Sequence, residues 1–250
     1  PPLPKPALPG EVLVRESVDD LLDAMTSDML FQAKSCVRAF GDFHLALSGG
    51  STPEPLYRRL MYDQRVRDFP WKKTHLWQVD ERCVADDDDR RNWKMIADLL
   101  LDHSDIPLAQ THPMPVLDPE GDLAYETSLR EALEWREKGH DRLDYVVLGL
   151  GNDFHTASLF PGSVALDAPA GRLAVFNDGP GGVPPKRMTL TYEILNASRF
   201  LAVLITGKGK RDTIAKLVAD SRDPHEAPIR GIRPLGGTLR WYLDRDACPE

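Results

Sequence analysis

The sequence predicts an α/β fold: a mainly parallel, doubly wound sheet with helices on both faces. Three observations predict it. Short apolar runs such as Leu143-Asp144-Tyr145-Val146-Val147-Leu148 alternate along the chain with amphipathic stretches at helical spacing. Strands read as such runs when helices cover both faces of a parallel sheet. The glycine-bearing and polar motifs follow directly after the runs, at strand carboxyl ends, where ligands gather in sheets of this kind. The totals agree, since 250 residues, 42% hydrophobic and 28% charged, are wrong for a disordered chain.

The elements follow in order. Glu11 to Glu16 alternates enough for a short strand, and Ser17 with Asp20 forms a capping-box-like signal. Leu21, Leu22, Met25, Met29, Leu30 and Val37 then recur at helical spacing, predicting a helix from Val18 to Phe40 with one face on the sheet. Phe43 to Ser48 reads as a strand, Gly49 to Thr52 as a glycine loop, and Pro53 opens a helix through Leu60, since proline costs little in a first turn. Thr74 to Val79 is a strand, Asp80 to Arg91 a polar loop, and Asn92 caps a helix carrying Ile96, Leu99 and Leu100. A helix from Gly121 to Lys138 precedes the strand from Leu143 to Leu148. Further strands are predicted at Leu173 to Phe176, Arg187 to Thr191, Phe200 to Ile205 and Thr238 to Leu243. A helix follows Gly207, and the segment Asp178 to Lys186 is a long loop. Residues 1–10 read as a proline-rich lead-in and residues 11–250 as a single domain. Trp71, Trp77 and Trp93 are expected to pack in the core or at its rim.

Composition excludes several roles. A net charge of −8 argues against general nucleic-acid binding, which needs a basic surface to release phosphate counterions. No apolar run approaches the roughly 20 residues that span a bilayer, so no membrane partner is expected. Cys36, Cys83 and Cys248 are odd in number and scattered, forming neither a disulfide framework nor a zinc pattern, which predicts a reducing, cytoplasmic setting. The acidic run Asp86 to Asp89 lacks a matching ligand cluster and reads as a solvated loop, so no metal is expected. Oligomeric state is not legible.

The candidate site residues sit at strand ends. In Ser48-Gly49-Gly50-Ser51-Thr52, exposed backbone N–H groups, hydroxyls and a helix start suit an anion, or equally a tight strand-to-helix turn. The loop fits neither the P-loop nor the dinucleotide pattern. Arg82 can grip a phosphate through two hydrogen bonds, and Asp80 can orient a base or a sugar hydroxyl. His155, in a loop just beyond a strand, is the candidate general base, because neutral imidazole accepts a proton from water near pH 7. Lys208, Lys210 and Arg211 oppose the dipole of the helix they open, a placement that a bound phosphate would reverse. Arg187 is a further anion contact.

Taken together and in order, these segments resemble the 6-phosphogluconolactonase family across nearly the whole chain. The matching pieces are Leu47 to Pro53, Val79-Asp80-Glu81-Arg82, Leu148-Gly149-Leu150-Gly151, His155-Thr156-Ala157-Ser158-Leu159-Phe160-Pro161, Arg187 to Thr191, and Thr206-Gly207 with Lys210. The resemblance implies a fold related to glucosamine-6-phosphate deaminase and hydrolysis of 6-phosphoglucono-1,5-lactone without a cofactor. On it, His155 activates water, Arg82, Arg187 and Lys210 hold the phosphate or steady developing charge, Asp80 orients the site, and Ser48 to Thr52 cradle the substrate.

The family pattern differs at three positions. Phe154 stands where glycine is usual, Arg91 where serine is typical, and Arg230 where a small residue is more frequent. These predict added bulk and charge near the pocket, and they motivate a second reading, a lactonase scaffold that binds a ligand or protein partner without turnover. A third reading is an amino-sugar-phosphate isomerase or deaminase, which needs a ring-opening group that the sequence does not place.

Overall fold

The computed structural model describes residues 3–133 and 142–249. Strand β1 (Glu11–Arg15) leads into helix α1 (Val18–Phe40). The capping signal operates as read: Ser17 Oγ accepts from the Asp20 N–H at 3.1 Å and donates to its carboxylate at 2.7 Å. At the other end Gly41 takes the left-handed conformation, φ 92°, and its N–H closes on Val37 O. There follow β2 (Phe43–Leu47), α2 (Glu54–Tyr62), β3 (Thr74–Gln78), β4 (Asp80–Arg82), α3 (Asn92–Leu99), β5 (Thr111–His112) and α4 (Gly121–Leu133). The chain continues with β6 (Tyr145–Leu148), β7 (Ala174–Asp178), β8 (Lys186–Leu190), α5 (Tyr192–Ala197), β9 (Phe200–Ile205), α6 (Arg211–Ala219) and β10 (Thr238–Asp244). The predicted continuation of α4 to Lys138 lies outside the described residues.

Seven strands form one parallel sheet in the order β1-β10-β9-β6-β2-β3-β5. From β2 the chain winds outward through β3 and β5, then returns to β6 and winds the other way through β9 and β10. The loops leaving β2 and β6 therefore diverge, and the crevice between them is where a doubly wound sheet binds ligands. Two cores lie on the two faces. Phe43, Leu45 and Leu47 pack with Leu21, Met25, Leu56 and Ile96 from α1, α2 and α3. Ala46 points to the opposite core, with Tyr125 and Leu129 of α4, Ile194 of α5 and Ile214 of α6. Burying each such Leu, Ile or Phe stabilises the fold by about 1.5–3 kcal/mol. Trp77 is fully buried, and Trp71 and Trp93 pack against the α1-side core as expected. The lead-in also packs, with Leu8 in the core and Pro9 O accepting from Trp241 Nε1 at 2.7 Å.

The structure corrects the sequence reading in four places. Asp80 to Arg82, expected within a loop, form β4 in a second, antiparallel sheet of order β4-β8-β7. Three polar residues carry no alternation, so only the pairing with β8 reveals the strand. Asn92 does not cap α3 but begins it; the Glu81 carboxylate reaches across to accept the N–H groups of Asn92 and Trp93, both at 2.8 Å. The elements β5 and α5, two and six residues long, are too short to show a periodic pattern in the sequence. After Gly207, residues Lys208–Lys210 make a 3-10 turn before α6 begins at Arg211.

Candidate active site

A cavity of about 290 Å³ opens in the crevice between the loops leaving β2 and β6. Ser48, Gly49, Gly50, Ser51, Thr52, Asp80, Arg82, His155, Arg187 and Lys210 all line it, whereas Lys208 and Arg211, the other two cations after Gly207, do not. Asn92, Gly151 and Thr156 also line it, without having been assigned there.

His155 is held by a short loop of strained backbone. Phe154 and Ala157, on either side of His155 and Thr156, have φ of 68° and 52°, at a cost of about 1–3 kcal/mol each that surrounding bonds must offset. Those bonds are Gly151 N–H to His155 O at 2.8 Å, Ile229 N–H to Phe154 O at 3.0 Å, and Thr156 Oγ1 to Gly149 O at 2.8 Å. The imidazole Nδ1 lies 2.5 Å from Asp153 Oδ1, which also accepts the His155 backbone N–H at 3.2 Å. A carboxylate there holds the ring proton on Nδ1 and leaves Nε2 as the basic nitrogen. Burial tends to raise the Asp153 pKa, but the hydrogen bond from His155 prevails and holds it below the usual carboxylate range. A Cβ on Gly151 would meet His155 Nδ1 at 2.1 Å, so this pairing requires glycine at 151. Asp153 is the partner that sequence reasoning missed; an acid two residues before a histidine in a turn was the signal.

The His155 ring is therefore oriented by Asp153 and not by Asp80. Asp80 Oδ2 accepts from Ser158 Oγ at 2.5 Å, on a residue only 6% exposed. Its place in the cavity wall suits a substrate hydroxyl, the other role expected for it.

Arg82 and Arg187 face each other directly across β4 and β8. Like charges at opposed positions destabilise a sheet, and both side chains line the same cavity. Burial, followed by the positive field of Arg82, lowers the Arg187 pKa from its ordinary value. Arg187 Nε donates to Pro184 O at 2.9 Å, and Arg82 Nη1 to Arg90 O at 2.8 Å. A pair held so against its own repulsion suits a dianion that accepts from both. Lys210, beside the histidine loop, donates from Nζ to Leu150 O at 2.6 Å and to Asn152 Oδ1 at 3.0 Å. Its pKa is lowered, chiefly by burial, with Asp153 opposing.

The β2–α2 loop approaches closely for a definite reason. A Cβ on Gly49 would collide with Asn92 Oδ1 at 1.9 Å, and Gly50 has φ 92°. Asn92 Nδ2 in turn donates to Asp80 O at 3.0 Å, tying the loop, β4 and α3 together. The Ser48 hydroxyl is engaged with Val147 O at 2.6 Å, so it braces the loop, and backbone N–H groups near the start of α2 are what the loop offers an anion.

None of the three departures from the family pattern lines the cavity, contrary to the expectation of bulk and charge there. Phe154 is 5% exposed and sits in the core, with Arg222 over its ring. Arg230 turns toward the carbonyls of Leu217 and Asp220. Arg91 is buried against Val84, Met114, Asp86 and Glu81.

Among the described residues, Asp42, His44 and His75 have metal-ligand spacing. Hydrogen-bond logic argues against a cation there. The Trp77 indole, which can only donate, gives its N–H to His44 Nδ1 at 3.0 Å. The His44 proton is therefore on Nε2, directed to Asp42 Oδ2 at 3.1 Å, and the His44 ring offers no lone pair to a metal.

The chain is similar to known proteins along nearly its whole length. The family described as glucosamine-6-phosphate isomerases/6-phosphogluconolactonase matches residues 16–241. The GDH/6PGL endoplasmic bifunctional protein of Homo sapiens is 39% identical over 241 residues, 94% of this chain. The chain spans about 30% of that relative's length, and about 29% of its Oryctolagus cuniculus counterpart. The 6-phosphogluconolactonase of Synechocystis is 39% identical over 211 residues, 83% of this chain and 84% of the relative. The crystal structure of 6-phosphogluconolactonase from Thermotoga maritima superposes with a TM-score of 0.78 at 26% identity, covering 94% of this chain and 99% of the other.

Proposed function

The chain belongs to the glucosamine-6-phosphate isomerase/6-phosphogluconolactonase family, and from that premise we propose that its cavity hydrolyses 6-phosphoglucono-1,5-lactone to 6-phosphogluconate. The observation that carries the reading is the Asp153–His155 pair in one cavity with the opposed Arg82 and Arg187. The arginines take the phosphate, whose charge relieves their repulsion and places the lactone ring toward His155. The Gly49 to Thr52 loop closes on the substrate with backbone N–H groups, and Asp80 accepts from a ring hydroxyl.

With Nδ1–H committed to Asp153, His155 Nε2 removes a proton from water as its oxygen bonds to the lactone carbonyl carbon. The carbonyl electron pair moves onto oxygen, and Lys210 steadies that charge from the histidine side of the cavity. Collapse of the tetrahedral intermediate breaks the bond to the ring oxygen, which takes the proton from the imidazolium. The open-chain acid then ionises. Each proton and electron pair is accounted for without a covalent enzyme intermediate.

The deciding experiment measures hydrolysis of freshly prepared lactone above its spontaneous opening. His155→Ala is expected to lower kcat by about 10²–10⁴-fold, the usual contribution of a positioned base. Undiminished turnover in that variant would remove His155 from the role. The cytoplasmic setting rests on the scattered free thiols, Cys36 and Cys248 buried and Cys83 partly so. Recovery of the protein in a microsomal fraction would contradict it.

A further inference from the structure

Arg91 departs from the family pattern, and its guanidinium is 5% exposed although it lies outside the cavity. Its contacts tie three segments together. Nη1 donates to Val84 O at 2.8 Å, and Nη2 donates to Met114 O at 3.2 Å and lies 2.9 Å from Asp86. Nε lies 3.4 Å from Glu81 Oε2. Glu81 is fully buried, and both its oxygens are occupied by neutral donors: Gln78 Nε2 at 2.7 Å and the backbone N–H groups of Arg82, Asn92 and Trp93 at 2.7–2.8 Å. Neutral donors spread a buried negative charge without cancelling it, whereas a guanidinium beside it does.

Two routes lead from Arg91 to the cavity. One runs through Glu81 to the Arg82 backbone N–H, at the end of β4 that pairs with Arg187 of β8. The other runs through the neighbouring residue, since Arg82 Nη1 donates to Arg90 O. Val84 and Asp86 hold the intervening turn to the same guanidinium.

We propose that Arg91 is a positioning residue for phosphate recognition, locking β4 and its following turn so that Arg82 stays opposed to Arg187. This rests on the reading that the cavity takes a phosphorylated ligand. Because the arginine pair contacts the phosphate in ground and transition states alike, loosening Arg82 weakens binding and leaves the chemical step intact.

The test compares wild type with Arg91→Ser, Arg91→Ala and Arg91→Lys, each checked for native circular dichroism. The readouts are kcat and KM for the lactone and, separately, the Kd for inorganic phosphate by calorimetry. Serine and alanine are expected to raise KM and phosphate Kd together by about tenfold, with kcat within about threefold. Lysine keeps the charge but loses the fork, so it is expected to fall between wild type and alanine. Guanidinium far below denaturing concentration is expected to restore phosphate binding to Arg91→Ala, while urea at the same concentration does not. Unchanged phosphate Kd in the folded variants overturns the proposal, as does a fall in kcat with phosphate Kd unmoved. If wild type binds phosphate yet hydrolyses no lactone, the proposed function fails, and the phosphate Kd ratio still decides the role of Arg91.

Discussion

Replacing Phe154 with glycine sets two opposed effects against each other. At φ 68° a non-glycine residue costs about 1–2 kcal/mol, which glycine recovers. Glycine also loses roughly 0.5–1 kcal/mol more chain entropy on folding, so the net backbone gain is small. Against it stands the ring, 5% exposed in the core with the Arg222 guanidinium carbon 5.2 Å from its centroid. Removing a buried phenyl group costs about 3–5 kcal/mol. Burial wins, and Phe154→Gly is expected to lose about 2–4 kcal/mol, or roughly 5–15 °C in Tm for a chain of this length. Phe154→Ala suffers the same loss without relief of the backbone and should lie about 1 kcal/mol lower still. Thermal unfolding followed by calorimetry gives the order wild type, then glycine, then alanine. Because the ring does not line the cavity, kcat/KM of the glycine variant should stay within about threefold of wild type at a temperature where both are folded. A glycine variant more stable than wild type, or one with much higher kcat/KM, would show that the ring obstructs the site and that this reasoning is wrong.

Asp153→Asn offers Nδ1 an amide N–H, which drives the ring proton to Nε2; kcat is expected to fall by about 10²-fold with little change in KM, and activity near wild type would dissociate Asp153 from the base. Arg187→Ala removes half of the proposed phosphate clamp, so KM should rise by about ten- to a hundredfold with a smaller effect on kcat, while an unchanged KM would place the phosphate elsewhere. His112 stacks on Trp77 beside His75, and burial, then the fields of His75 and His44, lower its pKa to about 3. Folded His112 therefore stays neutral while the unfolded chain takes up a proton below its ordinary value near 6.5. Stability is fully present above that value and falls by as much as about 1.4 kcal/mol per pH unit as pH drops toward 3. His112→Phe should flatten that slope by about one proton in urea titrations between pH 6 and 4, and an identical slope would mean that His112 is protonated in the folded protein.

Local chemistry along the chain already records part of this structure. The cap at Ser17, the span of α1, the runs that became β2, β6 and β9, and the glycine loop after β2 all announce themselves through neighbours a few residues away. Polar residues at the carboxyl ends of successive strands pointed to His155, Arg82 and the Ser48 to Thr52 loop, while Arg187, at the head of its strand, joined them through the family resemblance. Tertiary structure alone decided how they meet. Asp80 to Arg82 form a strand only because β8 lies alongside, and that pairing sets Arg82 against Arg187. Glu81 caps a helix it does not belong to, Asp153 orients the histidine and leaves Asp80 only the second of its two expected roles, and Phe154, Arg91 and Arg230 turn away from the cavity they were expected to crowd. Periodicity and capping are short-range patterns, fixed by backbone geometry within a few residues. The direction of a side chain in an irregular loop is fixed instead by which distant surface offers it burial or a hydrogen bond, and no local pattern carries that information.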